Sequence, residues 1–194
     1  MGGVIAFANQ KGGVAKTTTT LNLGVAFAEE GLRVLLIDLD PQGNLTMSQG
    51  LNPDSIERSM FDVLVHQLPI EEVIQKAEVD LAVSSIDLAG AELALSSMIG
   101  RERALAKAIS AVRDQYDYVL IDTPPSLGLL TINALVAANG VIVPVQCEMT
   151  LRSATLGAGS GTRRYSRVGR CARRLDYSRP VQQRSDRPAW LASA

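Results

Sequence analysis

Val4-Ile5-Ala6-Phe7-Ala8-Asn9-Gln10-Lys11-Gly12-Gly13-Val14-Ala15-Lys16-Thr17-Thr18 is the stretch whose reading decides the fold. Its first five residues have the length and apolar content of a buried strand, and residues 16–30 read as a helix. A glycine-rich turn between such a strand and such a helix is a phosphate-binding loop. Gly12 and Gly13 lack Cβ atoms, so the backbone curls tightly and aims its N–H groups at a phosphate chain. The following helix adds its N-terminal partial positive charge. The candidate nucleotide-binding segment is therefore Lys11, Gly12, Gly13, Val14, Ala15, Lys16, Thr17 and Thr18. Lys16 is placed to neutralise the β- and γ-phosphates, and Thr17 to offer its hydroxyl to Mg2+, a hard cation that takes oxygen ligands.

The common form of this motif has glycine six residues before the lysine and again immediately before it, where this chain has Gln10 and Ala15. A second lysine, Lys11, stands at the start of the loop instead. This deviant loop resembles that of the ParA/MinD group of ATPases. The resemblance implies that Lys11 reaches across a dimer interface to the partner's nucleotide, where a cation stabilises charge developing on the phosphates. If the backbone at Ala15 is left-handed, alanine there costs on the order of 1 kcal/mol relative to glycine. If it is helical, alanine costs nothing.

Charge along the chain is unevenly shared. Residues 1–150 carry nine Lys+Arg against eighteen Asp+Glu, whereas residues 151–194 carry ten Arg, no Lys and two Asp. The net charge of −1 and the 46% hydrophobic content fit a soluble globular chain with one substantial core. The apolar runs are of strand length, and Ala6 occupies the position where a myristoylation signal needs Ser or Thr, so no membrane association is expected. Cys147 and Cys171 form no metal or disulfide spacing, which suits a reducing cytoplasm. The lone His66 sits in a helical stretch and reads as a surface residue.

Short apolar, β-branched runs predict strands at 4–8, 34–38, 81–84, 118–122 and 141–145. Helices are predicted at 16–30, 55–66, 70–76, 90–98, 102–114 and 127–138, the fifth with Leu105, Ile109 and Val112 on one apolar stripe. Near-continuous apolar strands separated by helices call for an α/β, doubly wound, mostly parallel sheet covered on both faces, of the P-loop NTPase type. Such sheets bind ligands beyond the carboxyl ends of their strands. Three carboxylates fall there.

Asp38 ends the second predicted strand and Asp40 follows two residues later, in Leu-Leu-Ile-Asp-Leu-Asp-Pro-Gln-Gly-Asn (35–44). Asp40 is the candidate for orienting or activating an attacking water, and Asp38 for organising the Mg2+ shell. Asp122 ends the strand in Tyr-Val-Leu-Ile-Asp-Thr-Pro-Pro-Ser (118–126), the arrangement of a carboxylate that holds Mg2+ directly or through water. The candidate metal set is thus Thr17, Asp38 and Asp122, and the catalytic set Lys11 and Asp40.

Asp-Pro-Gln-Gly-Asn at 40–44, Ile-Asp-Leu-Ala-Gly-Ala-Glu at 86–92, Ile-Asp-Thr-Pro-Pro-Ser at 121–126 and Pro-Val-Gln-Cys-Glu at 144–148 narrow the resemblance. They are similar to the chromosome and plasmid partitioning ATPases of the ParA type, on the Soj-like branch. The similarity covers residues 2–148, the expected ATPase domain being 1–148. What it implies is an ATP- and Mg2+-dependent homodimer in the cytoplasm, associated with the nucleoid. Such a dimer binds DNA without sequence preference and hydrolyses ATP under a ParB-type partner.

After Glu148 the resemblance stops, and the sheet is expected to break off after the fifth predicted strand. Residues 149–194 are Arg-, Ser- and Gly-rich with no sustained apolar period, a composition that predicts disorder. Two origins are open: a basic arm that binds nucleic acid through phosphates, or a shifted reading frame, which the Arg excess without Lys favours. Two functional classes follow, a working partition ATPase or a nucleotide-binding remnant without productive turnover.

Overall fold

The computed structural model describes residues 3–146. The expectations for 149–194, and both cysteines, lie outside the described residues. Six strands form one sheet in the order β3-β4-β2-β5-β1-β6. They are β1 (Gly3–Phe7), β2 (Val34–Asp38), β3 (Ile74–Gln75), β4 (Asp80–Ala82), β5 (Tyr118–Asp122) and β6 (Gly140–Ile142). Every neighbouring pair is parallel except β3 with β4. The doubly wound α/β architecture read from the sequence is the one observed.

The side chains of β2 show why a parallel strand reads as a solid apolar run. All five of its residues are buried. Leu35 and Ile37 face the core beneath α3 (Met60–Val65), α4 (Ala91–Ser96), α5 (Ala104–Val112) and α6 (Leu129–Ala137), while Val34 and Leu36 face the second core beneath α1 (Lys16–Glu29). On α1, Gly24 lets the helix lie close to the sheet: a Cβ there would come within 2.6 Å of a Leu36 methyl. Leu105, Ile109 and Val112 of α5 are all buried, as their spacing predicts.

Several boundaries differ from the sequence reading, each for a local reason. The helix predicted at 55–66 starts only at Met60, because Ser59 and Asp62 close a capping box there: the Phe61 N–H donates to the Ser59 hydroxyl, and the Ser59 N–H to Asp62. The helix predicted at 70–76 is a 3-10 turn (Ile70–Val73) followed by β3, whose pairing with β4 overrides the short helical pattern. The predicted strand at 141–145 is shortened to β6, as Pro144 has no N–H to give a ladder. A short helix not anticipated, α2 (Asn44–Ser48), follows Gly43, whose left-handed backbone (φ 61°) turns the chain after Asp40. His66 is exposed, with its ring 3.2 Å from the Asp62 carboxylate.

Candidate functional site

The loop between β1 and α1 is built on two left-handed residues, Gly13 (φ 70°) and Ala15 (φ 62°). Between them Val14 is buried and anchors the turn. Ala15 precedes α1 without a side-chain cap, and the first turn of the helix carries no acidic residue, so neither a cap nor an acidic side chain of its own turn takes up its N–H groups. Ala15 is the non-glycine residue in this left-handed position, so the strain foreseen for it is present. Ala15→Gly is therefore expected to raise stability by about 0.5–1 kcal/mol, the relief of strain exceeding the extra chain entropy of glycine. Thermal denaturation checks this, with a rise of about 2 °C expected and a fall contradicting it.

Gly12, Gly13, Val14, Ala15, Lys16, Thr17 and Thr18 line a cavity of about 590 Å3 together with Asp40, Gln42, Asn44, Met47, Ser48 and Pro125. Lys16 is 7% exposed and forms no ion pair within 4 Å among the described residues, its charge being felt by Asp122. A largely buried cation in the cavity wall without a direct ion pair suits an anionic ligand. Lys11 lies outside this lining. It is exposed, and its N–H donates to the Asn9 side-chain oxygen at 3.0 Å.

Parallel pairing sets Asp38 and Asp122 side by side at the ends of β2 and β5. Asp122 Oδ2 accepts a hydrogen bond from the Thr17 hydroxyl at 2.6 Å. Its Oδ1 is buried without a hydrogen-bond partner among the described residues. Burial pushes the Asp122 carboxyl up to about 7; the Thr17 bond opposes the rise, Asp38 and Asp40 add to it, and Lys16 opposes it. A buried carboxylate oxygen with no donor, beside a threonine hydroxyl, is the donor set that a hard divalent cation takes, so Thr17 and Asp122 fit Mg2+.

Asp38 ends β2, as read in the sequence, and its carboxylate is held by the loop that follows. Like Asp122 it is fully buried and outside the cavity lining, but both of its oxygens are engaged: they accept from the Asp40 N–H (3.1 Å), the Thr46 N–H (2.9 Å) and the Thr46 hydroxyl (2.8 Å). The arrangement braces the 40–46 loop and gives no support to a place for Asp38 in the Mg2+ shell. Burial raises its carboxyl to about 6, with these three donors opposing. Asp40 does line the cavity. Its Oδ1 accepts from the Gln42 N–H at 3.0 Å, and its backbone carbonyl from the Ser84 hydroxyl at 2.8 Å. Thr46 and Ser84 were not singled out in the sequence. Their only signal is a contact, Ser84 N–H to the Thr46 hydroxyl at 3.1 Å, across 38 residues.

The AAA_31 family model (AAA domain) matches residues 2–158. The chain belongs to that family, on its ParA/Soj-type branch. It is 50% identical over 151 residues to the sporulation initiation inhibitor protein Soj of Bacillus subtilis, covering 76% of this chain and 60% of Soj. To the chromosome partitioning protein ParA of Caulobacter vibrioides it is 47% identical over 150 residues, covering 75% and 56%. The ParA/Soj-type chain thus spans about three-fifths of these relatives' length. Among solved structures, cobyrinic acid a,c-diamide synthase from Mycobacterium smegmatis, with bound ATP analogue and magnesium, superposes with a TM-score of 0.75 at 49% identity, covering 77% of this chain and 62% of the other.

Proposed function

We propose that this chain binds Mg-ATP and works as a ParA-type partitioning ATPase. The observation that carries the reading is the buried Asp122 Oδ1, without a hydrogen-bond partner among the described residues, beside Thr17 and within electrostatic reach of Lys16. The ATP analogue and magnesium in the M. smegmatis protein, and the names of the Soj and ParA relatives, support it. Thr17 and Asp122 would hold Mg2+, which supplies charge neutralisation of the β- and γ-phosphate oxygens. Backbone N–H groups of 12–18 and the Lys16 ammonium grip and orient the phosphates. Asp40, held by Gln42 and Ser84, presents a carboxylate to the cavity to orient a water and take its proton.

On the same reading, ATP joins two copies and Lys11 serves the partner's nucleotide, which agrees with its exposure outside its own cavity. A ParB-type protein would stimulate turnover. Non-specific DNA would be the cargo-side ligand, in a cytoplasmic, nucleoid-associated setting. No helix among the described residues is long and apolar enough to cross a membrane. The ten arginines of 151–194 would contribute DNA affinity that falls steeply with salt.

Two variants test these roles. Asp40→Ala is expected to keep ATP affinity within about threefold while lowering turnover by about 100-fold, since the carboxylate acts on water and not on the phosphates. Loss of ATP binding in that variant would contradict the assignment. Lys11→Ala is expected to bind ATP as a monomer but to lose ATP-dependent dimerisation, read by light scattering with and without Mg-ATP. Normal dimerisation and turnover would reduce Lys11 to an incidental surface charge.

A further inference from the structure

The segment Ile-Asp-Leu-Ala-Gly-Ala-Glu (86–92) has no part in the site described so far, yet it ends in a carboxylate with an unusual contact. Residues Ile86–Gly90 form a 3-10 turn that runs into α4, with Leu88 and Ala91 buried as anchors. Glu92, in the first turn of α4, is half-buried and reaches Gly128, the residue before α6. A Cβ on Gly128 would lie 1.8 Å from Glu92 Oε1 and 2.5 Å from both Cδ and Oε2. The carboxylate therefore occupies the space that any other residue at 128 would fill.

Nothing else demands glycine there. The backbone of Gly128 is extended (φ −88°, ψ −172°), a conformation open to every residue. Gly128 also gives α6 no side-chain cap. Glu92 supplies what is missing: its Oε1 is 3.5 Å from the Leu130 N–H, and its negative charge sits at the positive end of the helix.

The other end of the same segment is the nucleotide cavity. Residues 123–128 lead directly from Asp122 to α6. Thr123 donates its hydroxyl to the Phe7 carbonyl at 2.7 Å, Pro124 is buried, and Pro125 forms part of the cavity wall. The Thr131 hydroxyl closes back on the Ser126 carbonyl at 2.8 Å. The segment is thus fixed to β1 at one end and to Glu92 at the other.

We propose that Glu92 is a positioning residue: by seating its carboxylate against the bare Cα of Gly128, it holds the 123–128 wall in register with the phosphate loop. The motif at 86–92 then couples α4 to the nucleotide without touching it. This deepens the Mg-ATP reading and rests on it.

Hydrogen exchange of the full chain, with and without Mg-ATP, tests the proposal in Glu92→Ala, Glu92→Gln, Gly128→Ala and the Glu92→Ala/Gly128→Ala double variant. In the unsubstituted chain Mg-ATP is expected to protect both 12–18 and 124–130. In Glu92→Ala and Gly128→Ala, protection of 12–18 persists while that of 124–130 falls by about tenfold or more. Gly128→Ala acts by displacing the flexible carboxylate, so the double variant is expected to be no worse than either single one. Glu92→Gln keeps an acceptor oxygen at the same reach and restores most of the protection. Deficits that multiply in the double variant, or protection of 124–130 unaltered in Glu92→Ala, would overturn the proposal. If Mg-ATP protects neither segment of the unsubstituted chain, the nucleotide reading fails by itself. Glu92 is then judged on ligand-free exchange at Leu130: faster exchange in Glu92→Ala supports the pinning, and unchanged exchange overturns it.

Discussion

Lys16→Ala is expected to weaken ATP binding by about 100-fold while leaving the fold intact. A charge-assisted hydrogen bond to a phosphate is worth up to about 3 kcal/mol, and about 1.4 kcal/mol corresponds to each tenfold in affinity. The effect sits at the upper end because Lys16 is only 7% exposed, which limits screening by water. Its cost to folding is expected to be small, since the ammonium forms no ion pair within 4 Å among the described residues and acts on Asp122 only through its charge. Fluorescent-ATP anisotropy with a parallel melting curve separates the two quantities. Unchanged affinity would remove the phosphate-loop assignment, whereas a collapsed melting temperature would show that Lys16 serves the fold.

Asp38→Ala should give the reverse pattern, a stability loss of about 3 kcal/mol that dominates any effect on nucleotide. Three donors lose their acceptor: the Asp40 N–H, the Thr46 N–H and the Thr46 hydroxyl, all in buried surroundings. Each unpaired buried group costs about 1–3 kcal/mol. Part of that is offset by no longer burying a carboxylate whose pKa burial has raised to about 6. Urea denaturation reads the difference. Asp38→Asn, which keeps one acceptor but introduces an N–H2 among three donors, is expected to fall between the two. If Asp38→Ala melts like the parent chain but loses Mg2+-dependent ATP binding, Asp38 belongs to the metal after all.

The contrast between these two residues shows what the sequence could and could not convey. Lys16 was legible because its chemistry is local: a strand, a glycine turn and a helix start lie within fifteen consecutive residues, and short-range geometry places the ammonium. Asp38 and Asp122 were legible as strand ends, since continuous apolar runs stop at them and parallel pairing puts both at one edge. Which of the two carboxylates is free depended on Thr46 and Ser84, whose hydrogen bonds span 8 to 44 residues and leave no periodic trace. The same holds for β3, where two residues of helical pattern were claimed by the edge of β4. It holds for Gly128, whose lack of a side chain makes sense only against Glu92.

The metal dependence of ATP binding tests the central claim most directly, because it interrogates the one buried side-chain oxygen that is without a hydrogen-bond partner among the described residues. Calorimetric titration of ATP into the full chain, with Mg2+ and then with chelator, is expected to show saturable one-to-one binding that weakens at least about tenfold without the metal. Asp122→Ala is expected to lose that difference while retaining the weaker, metal-independent affinity. No ATP binding in either condition, or binding that is equal with and without Mg2+, would contradict the account.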